Sequence, residues 1–199
     1  CALQAGRRGR CVVLLEHANA PGRKIRISGG GRCNFTNVGA SPSQYVSSNP
    51  DFCRSALSRY TPEDFVDLVR AHGIAFHEKT LGQLFCDASA QQIIDMLLEE
   101  CRAADVTILL NCSVRSVEKG EAFIVQTSRG ALRTESLVIA TGGLSLPKIG
   151  ATDFGYRTAA QFGIRVVETA PALDAFVFAP QEEQRFGDLA GVSLPAAVS

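Results

Sequence analysis

The chain carries no surplus of charge: 20 lysines and arginines face 20 aspartates and glutamates across 199 residues, for a formal net charge of +0. A basic excess would point to nucleic acid and an acidic one to disorder. The expectation from this balance is a small-molecule substrate and no nucleic-acid partner, although a neutral sum leaves room for a local basic patch. Long apolar runs are also missing. None approaches the roughly 18 residues that would read as a membrane span, so no membrane association is expected. No secretory signal is visible. The seven cysteines (1, 11, 33, 53, 86, 101 and 112) are odd in number and form no C-x-x-C pair. That argues against a zinc site or a secreted disulfide framework and for reduced, buried thiols in a cytoplasmic protein. Three histidines stand at no metal-ligand spacing. No Ser-His-Asp set or paired carboxylates stand out, so no catalytic acid or base can be named. Composition is silent on oligomeric state.

What is present is 46% hydrophobic and 20% charged, ordinary for a globular domain. Residues 2–8 read as the tail of a helix closed by Gly9. Cys11–Leu15 is a continuous apolar run ending in Glu16, which suits a strand buried on both faces of a parallel sheet. A polar, glycine-rich loop runs from His17 to about Asn49, and a loop of that length is usually functional. Thr61-Pro62-Glu63-Asp64 is a strong helix start, with a hydroxyl N-cap, proline in the first turn and acids beside it. Gly73 ends that helix, and Ile74–His77 predicts a short strand. Ala90–Ala104 carries Ile93, Leu97 and Cys101 on one stripe, the pattern of an amphipathic helix. Val106–Leu110 predicts the next buried strand. Ser113–Thr134 breaks into short segments at Lys119-Gly120 and Arg129-Gly130, an antiparallel meander. Leu137–Ala140 predicts a strand running into Thr141-Gly142-Gly143, Phe154–Phe162 a helix, and Arg165–Val167 a strand. Together these predict an α/β, doubly wound dinucleotide-binding fold with an antiparallel β crossover. Residues 1–171 form its domain, and 172–199 begin an inserted β-rich domain. Cys1 in place of methionine, and an end at Ser199 in mid-pattern, lead to the expectation of a piece of a longer protein.

Three segments carry candidate chemistry. Glu16 ends a buried strand, where such folds place an acid on the adenosine ribose about 20 residues after a glycine fingerprint. Counting back that far passes Cys1, so the fingerprint is expected outside the chain. A surface carboxylate would look the same. Ser28-Gly29-Gly30-Gly31-Arg32-Cys33-Asn34 offers backbone N–H groups to an anion, with Lys24, Arg26 and Arg32 adding positive charge. A flexible loop explains the glycines but not the cations around them. Thr141-Gly142-Gly143 lies where open α/β sheets bind ligands, and would also serve as a plain strand-to-loop turn. Cys33 beside Arg32 reads either as an activated thiol or as a small residue chosen for packing. His72 and His77 read as a helix-end and a strand-surface histidine.

On the stretches GRKIRISGGGRCNFTN (22–37), LFCDASAQQIIDMLLEECRAADVTI (84–108), LVIATGGLSLPKIGATDFGYRTAAQFG (137–163) and PAL (171–173), the chain resembles the aminoacetone-oxidase-like family of bacterial FAD-binding NAD(P)/FAD-dependent oxidoreductases. It departs from that pattern at Cys86–Ala90, where the family has a proline and a basic residue. The resemblance implies an FAD-dependent oxidoreductase whose flavin is reduced by NAD(P)H or a small-molecule donor. An FAD-dependent RNA-modifying flavoprotein and a non-catalytic nucleotide-binding module are the alternatives. It also implies cofactor contacts. Glu16 would hold the adenosine ribose, and Val114 would offer its backbone to the adenine. Lys24, Ser28, Gly29, Gly30, Gly31, Arg32 and Asn34 would line the pyrophosphate and flavin side. Thr141, Gly142 and Gly143 would pack near the diphosphate.

Overall fold

The computed structural model describes residues 1–170 and 179–186. In chain order its helices and strands are α1 (Ala2–Gly6), β1 (Val13–Leu15), α2 (Arg23–Ile27), β2 (Asn34–Asn37), α3 (Arg54–Arg59), α4 (Pro62–Ala71), β3 (Phe76–Glu78) and β4 (Gln83–Cys86). There follow α5 (Gln91–Ala103), β5 (Thr107–Leu109), β6 (Val114–Lys119), β7 (Phe123–Thr127), β8 (Gly130–Thr134), α6 (Phe154–Gln161) and α7 (Pro180–Phe186). None of these helices is long and apolar enough to cross a membrane. The chain divides into two units, Cys1–Thr158 and Ala159–Ser199. The expected start of a β-rich domain near Ala172 lies outside the described residues, apart from α7.

The first unit is built on a parallel pair. β1 lies beside β5, with Val13 opposite Thr107 and Leu15 opposite Leu109. Parallel strands need a crossover, and α5 leads into β5 as its last element. Ile93, Ile94, Met96 and Cys101 form its buried face. At its end, Cys101, Ala104 and Val106 pack with Leu3 of α1 and Leu14 of β1. Arg7 pairs with Glu100 there, and Glu100 also meets His72 Nε2 at 2.8 Å. The expected cap of α4 is present: Thr61 Oγ1 accepts from Asp64 N, and Asp64 Oδ2 accepts from Thr61 N at 2.6 Å. This reciprocal pair satisfies two otherwise orphaned groups of the first turn.

A second sheet, ordered β2-β4-β3 and antiparallel, sits against α4 and α5. Alternation gives it two distinct faces. Phe76 and Cys86, opposite one another, enter a core with Val69, Ile74, Ile93 and Met96. Phe35 joins them, its ring 5.4 Å from Phe76 and edge-on. The opposite face carries the row Asn34, Phe85, His77. The meander β6-β7-β8 forms a third sheet, as expected. It is pinned to the parallel pair by Cys112 N donating to the Glu16 carbonyl at 2.9 Å.

Two expected strands are not strands. Leu137–Ala140 and Arg165–Val167 pair with no other strand among the described residues. Val138 and Val167 are both 62% exposed. An apolar run becomes a buried parallel strand only when neighbours supply its ladder and cover its faces, and no described neighbour does so here. The long loop is also more ordered than expected. It contains α2, a 3-10 turn over Ser28–Gly31, and β2.

Candidate functional site

Glu16 stands at the carboxyl end of β1, its N–H donating to Leu109 of β5. Its Oε1 accepts from Ala18 N at 2.8 Å and lies 3.2 Å from His17 Nδ1. The second carboxylate oxygen has no partner among the described residues. Gly150 closes over His17: a Cβ built there would fall 2.5 Å from Nε2. Val114 opens β6 opposite Thr127, two residues beyond the Cys112 amide that holds the Glu16 carbonyl. The ribose and adenine candidates therefore share one end of the parallel pair.

The glycine turn is pulled inward by its carbonyls. Ser28 O accepts from Cys33 N, Gly31 O from Ala90 N at 2.7 Å, and Arg32 O from Cys86 N at 2.9 Å. Gly29, Gly30 and Gly31 have φ of 57, 65 and 86°, a left-handed run that glycine adopts at little cost. Gly29 lies against the sheet, where a Cβ would meet Phe85 Cε1 at 2.6 Å. Gly30 faces open space, with nothing within 4 Å of where its Cβ would be. Cys33 then turns into the core, 4% exposed and itself at φ 53°. That low exposure and the left-handed backbone favour the packing role, although the thiol also borders the hollow described below. Burial also pushes the neighbouring Cys86 thiol up to about 11, with Cys33 adding to the effect.

Lys24 reaches from α2 to Ser145, Nζ to Oγ 2.8 Å, and so joins the glycine turn to the segment that follows Thr141-Gly142-Gly143. Thr141 packs on the start of α6, where a Cβ on Gly155 would lie 3.2 Å from its Oγ1. Gly142 has φ 72°, and Gly143 approaches the Tyr156 hydroxyl. Lys24, Ser28, Cys33, Asn34 and Phe35 line a hollow of about 280 Å³. Arg32 and Asn34 are exposed.

The structure thus links Glu16 with Val114, Lys24 with the Thr141–Gly143 segment, and Ser28, Cys33 and Asn34 with the hollow. These groups fit a dinucleotide. A carboxylate with a vacant oxygen suits ribose hydroxyls. A left-handed glycine rim beside open space, flanked by Lys24 and Arg32, suits a diphosphate.

Beneath the glycine turn lies a pair that sequence reasoning missed. Phe85, 6% exposed, is covered by Gly29, stacked on His77 at 6.3 Å and 20°, and capped by Lys79 Nζ 4.3 Å from its ring centroid. His77 Nδ1 meets Asp87 Oδ1 at 2.6 Å. The two residues come together only through hairpin register, with His77 opposite Phe85. The one local signal was the spacing of Phe76-His77 and Phe85-Cys86 around a glycine turn.

A family model described as the HI0933-like protein Rossmann domain matches residues 1–196. The chain is 51% identical over 200 residues to the ribosomal RNA dihydrouridine synthase of Escherichia coli (strain K12), covering 100% of this chain and 50% of that protein. It is 44% identical to the ribosomal RNA dihydrouridine synthase of Haemophilus influenzae, again over 100% of this chain and 51% of the relative. A 3-dehydro-bile acid delta(4,6)-reductase of Clostridium scindens is 25% identical over 94% of the chain and 46% of the relative. The chain spans about half the length of each.

These findings overturn the expectation of no nucleic-acid partner, since two relatives that align over the whole chain are named for action on ribosomal RNA. The expected FAD-binding Rossmann family is upheld by the family match, while the curated relatives at 51% and 44% identity are ribosomal RNA dihydrouridine synthases rather than an aminoacetone oxidase. Net charge misled because it is a sum. Twenty cations cancelling twenty anions says nothing of where either sits, and this chain is half the length of the relatives.

Proposed function

Because the chain belongs to the HI0933-like family and has its Rossmann-like dinucleotide-binding α/β fold, we propose that it is the cofactor-binding part of an FAD-dependent enzyme that reduces uridine in ribosomal RNA to dihydrouridine. The observation that carries this reading is the 51% identity to a ribosomal RNA dihydrouridine synthase along the entire chain. Reducing the uracil C5=C6 bond requires a hydride donor, and none of the twenty amino-acid side chains is one. FAD, recharged by NAD(P)H, supplies that hydride.

The chain's own residues hold the cofactor and leave its chemistry undisturbed. Glu16 gives its vacant oxygen to the adenosine ribose, and the Val114 backbone faces the adenine. Gly29, Gly30 and Gly31 admit the diphosphate to the backbone, while Lys24 and Arg32 balance its charge. Ser28 and Asn34 border the flavin side, with Thr141, Gly142 and Gly143 closing on the diphosphate. Leu137–Ala140, unpaired among the described residues, serves as a further strand of the parallel sheet in the full-length protein.

The test is made on the full-length protein. It should purify with bound FAD, and NADPH or NADH should bleach the flavin. Ribosomal RNA from cells lacking the gene should gain the mass of two hydrogens at uridine when treated with the reduced protein. Ribosomal RNA that gains no dihydrouridine would refute the reading.

A further inference from the structure

We propose that His77, held by Asp87, is the acid that protonates C5 of the uracil ring as hydride arrives at C6. The inference rests on the uridine-reductase reading given above. Reduction of uracil adds unlike halves of hydrogen. Hydride from the reduced flavin forms the C6–H bond, because C6 is the electron-poor end of the enone. The C5=C6 π pair then moves onto C5, next to the C4 carbonyl. A proton must meet that pair, forming C5–H while the donor's N–H bond breaks, and solvent returns the proton to the donor afterwards. Flavin is oxidised, uracil is reduced, and NAD(P)H restores the flavin.

Four observations single out His77. It is on the face of the β2-β4-β3 sheet that carries the glycine turn, in one row with Asn34 and Phe85. Gly29 of the turn and the His77 ring cover the same phenyl ring. Its Nδ1 is engaged by Asp87 at 2.6 Å, which fixes the ring and leaves Nε2 pointing at no described group. Its side chain is 38% exposed, so a base can reach it. The charged groups around it are Asp87 from the β4–α5 turn, with Lys79 from its own segment lying over Phe85.

The other two histidines and the two core cysteines nearest the glycine turn are placed differently. His72 faces Glu99 with one nitrogen and Glu100 with the other. His17 is held between Glu16 and Gly150 at the ribose end. Cys33 and Cys86 are buried. An imidazole oriented by a carboxylate, with one nitrogen free beside a cofactor loop, is a standard general acid–base arrangement.

The experiment uses the full-length, FAD-loaded protein and unmodified ribosomal RNA transcribed in vitro. His77→Gln should keep its FAD and its rate of flavin reduction by NAD(P)H. Anaerobic reoxidation of the reduced flavin by the RNA should slow by about 100-fold or more. Asp87→Asn, a positioning change, should slow reoxidation by about tenfold, with Asp87→Glu recovering part of the loss. A readout independent of turnover is carbethoxylation of His77 by diethyl pyrocarbonate, followed by mass spectrometry: bound RNA should block it. Reoxidation of the His77→Gln flavin at the wild-type rate, or His77 labelled equally with and without RNA, would overturn the proposal while leaving the uridine-reductase reading intact. Failure of the RNA to reoxidise the wild-type flavin would remove both.

Discussion

Adding one methyl group at Gly29 and, separately, at Gly30 should divide folding from cofactor binding. Both glycines are left-handed, at φ 57 and 65°. Placing an L side chain there costs about 1–2 kcal/mol at either position. At Gly29 the methyl also meets Phe85 Cε1 at 2.6 Å and Asn34 N at 2.8 Å. Neither can yield easily, since Phe85 is 6% exposed and Asn34 N is backbone. Overpacking of that kind costs about 1–3 kcal/mol more. Gly29→Ala should therefore destabilise the protein by roughly 2–5 kcal/mol, and Gly30→Ala by only the backbone share of roughly 1–2 kcal/mol. In FAD binding the order should reverse per unit of stability lost, because the open space beside Gly30 is where the diphosphate is placed. Gly30→Asn sharpens the comparison: asparagine tolerates the left-handed region, so stability should recover while FAD affinity stays low. The assays are urea unfolding of the FAD-stripped full-length protein and FAD titration of each refolded variant. Equal destabilisation by Gly29→Ala and Gly30→Ala would refute the packing argument. A Gly30→Asn protein with wild-type FAD affinity would refute the placement of the cofactor.

Other outcomes follow from single residues. Glu16→Gln in the full-length protein should weaken FAD by about ten- to hundredfold, the worth of a charge-assisted hydrogen bond, measured by flavin fluorescence titration. Leu81 sits at φ 60° and is 90% exposed, so Leu81→Gly should raise the urea midpoint by the equivalent of about 1 kcal/mol, relieving strain without removing packing. The Cys86 thiol, raised from 9.0 to about 11 by burial and by Cys33, should resist iodoacetamide at pH 8 while exposed Cys11 reacts, as read by peptide mass spectrometry. Folding holds that thiol protonated, so its contribution is complete below pH 9 and fades as pH climbs toward 11; Cys86→Ala should flatten stability loss across that alkaline window.

The elements legible in the sequence are those whose signals are local. Thr61-Pro62 announces α4 because a cap and a fixed φ act within one turn. The stripe of Ile93, Leu97 and Cys101 announces α5 because a helix buries one face whatever lies opposite. Leu137–Ala140 and Arg165–Val167 failed for the converse reason: a strand is a property of a pair, and its partner is not encoded in its own residues. The candidate site divides in the same way. Glu16 and the three glycines could be read from residue type and spacing, and the structure brings each beside further candidates. The His77–Asp87 pair could not, because it depends on which residue of β3 falls opposite which residue of β4. The expectation of no nucleic-acid partner failed because a bulk charge count averages over the whole surface and is blind to any local patch.

The hairpin of β3 and β4 holds its two trades in adjacent seats. Phe76 goes to the core and His77 to the opposite face; Phe85 underlies the glycine turn and Cys86 returns to the core. Sliding either strand by one residue exchanges the seats, burying an imidazole and turning a phenylalanine outward. A single inserted or deleted codon between Phe76 and Cys86 would thus cost interior and chemistry at once, whereas point substitutions can alter one and spare the other. Over evolutionary time this stretch should vary in letter but keep its length, and a search of distant homologues would find gaps gathered on either side of it.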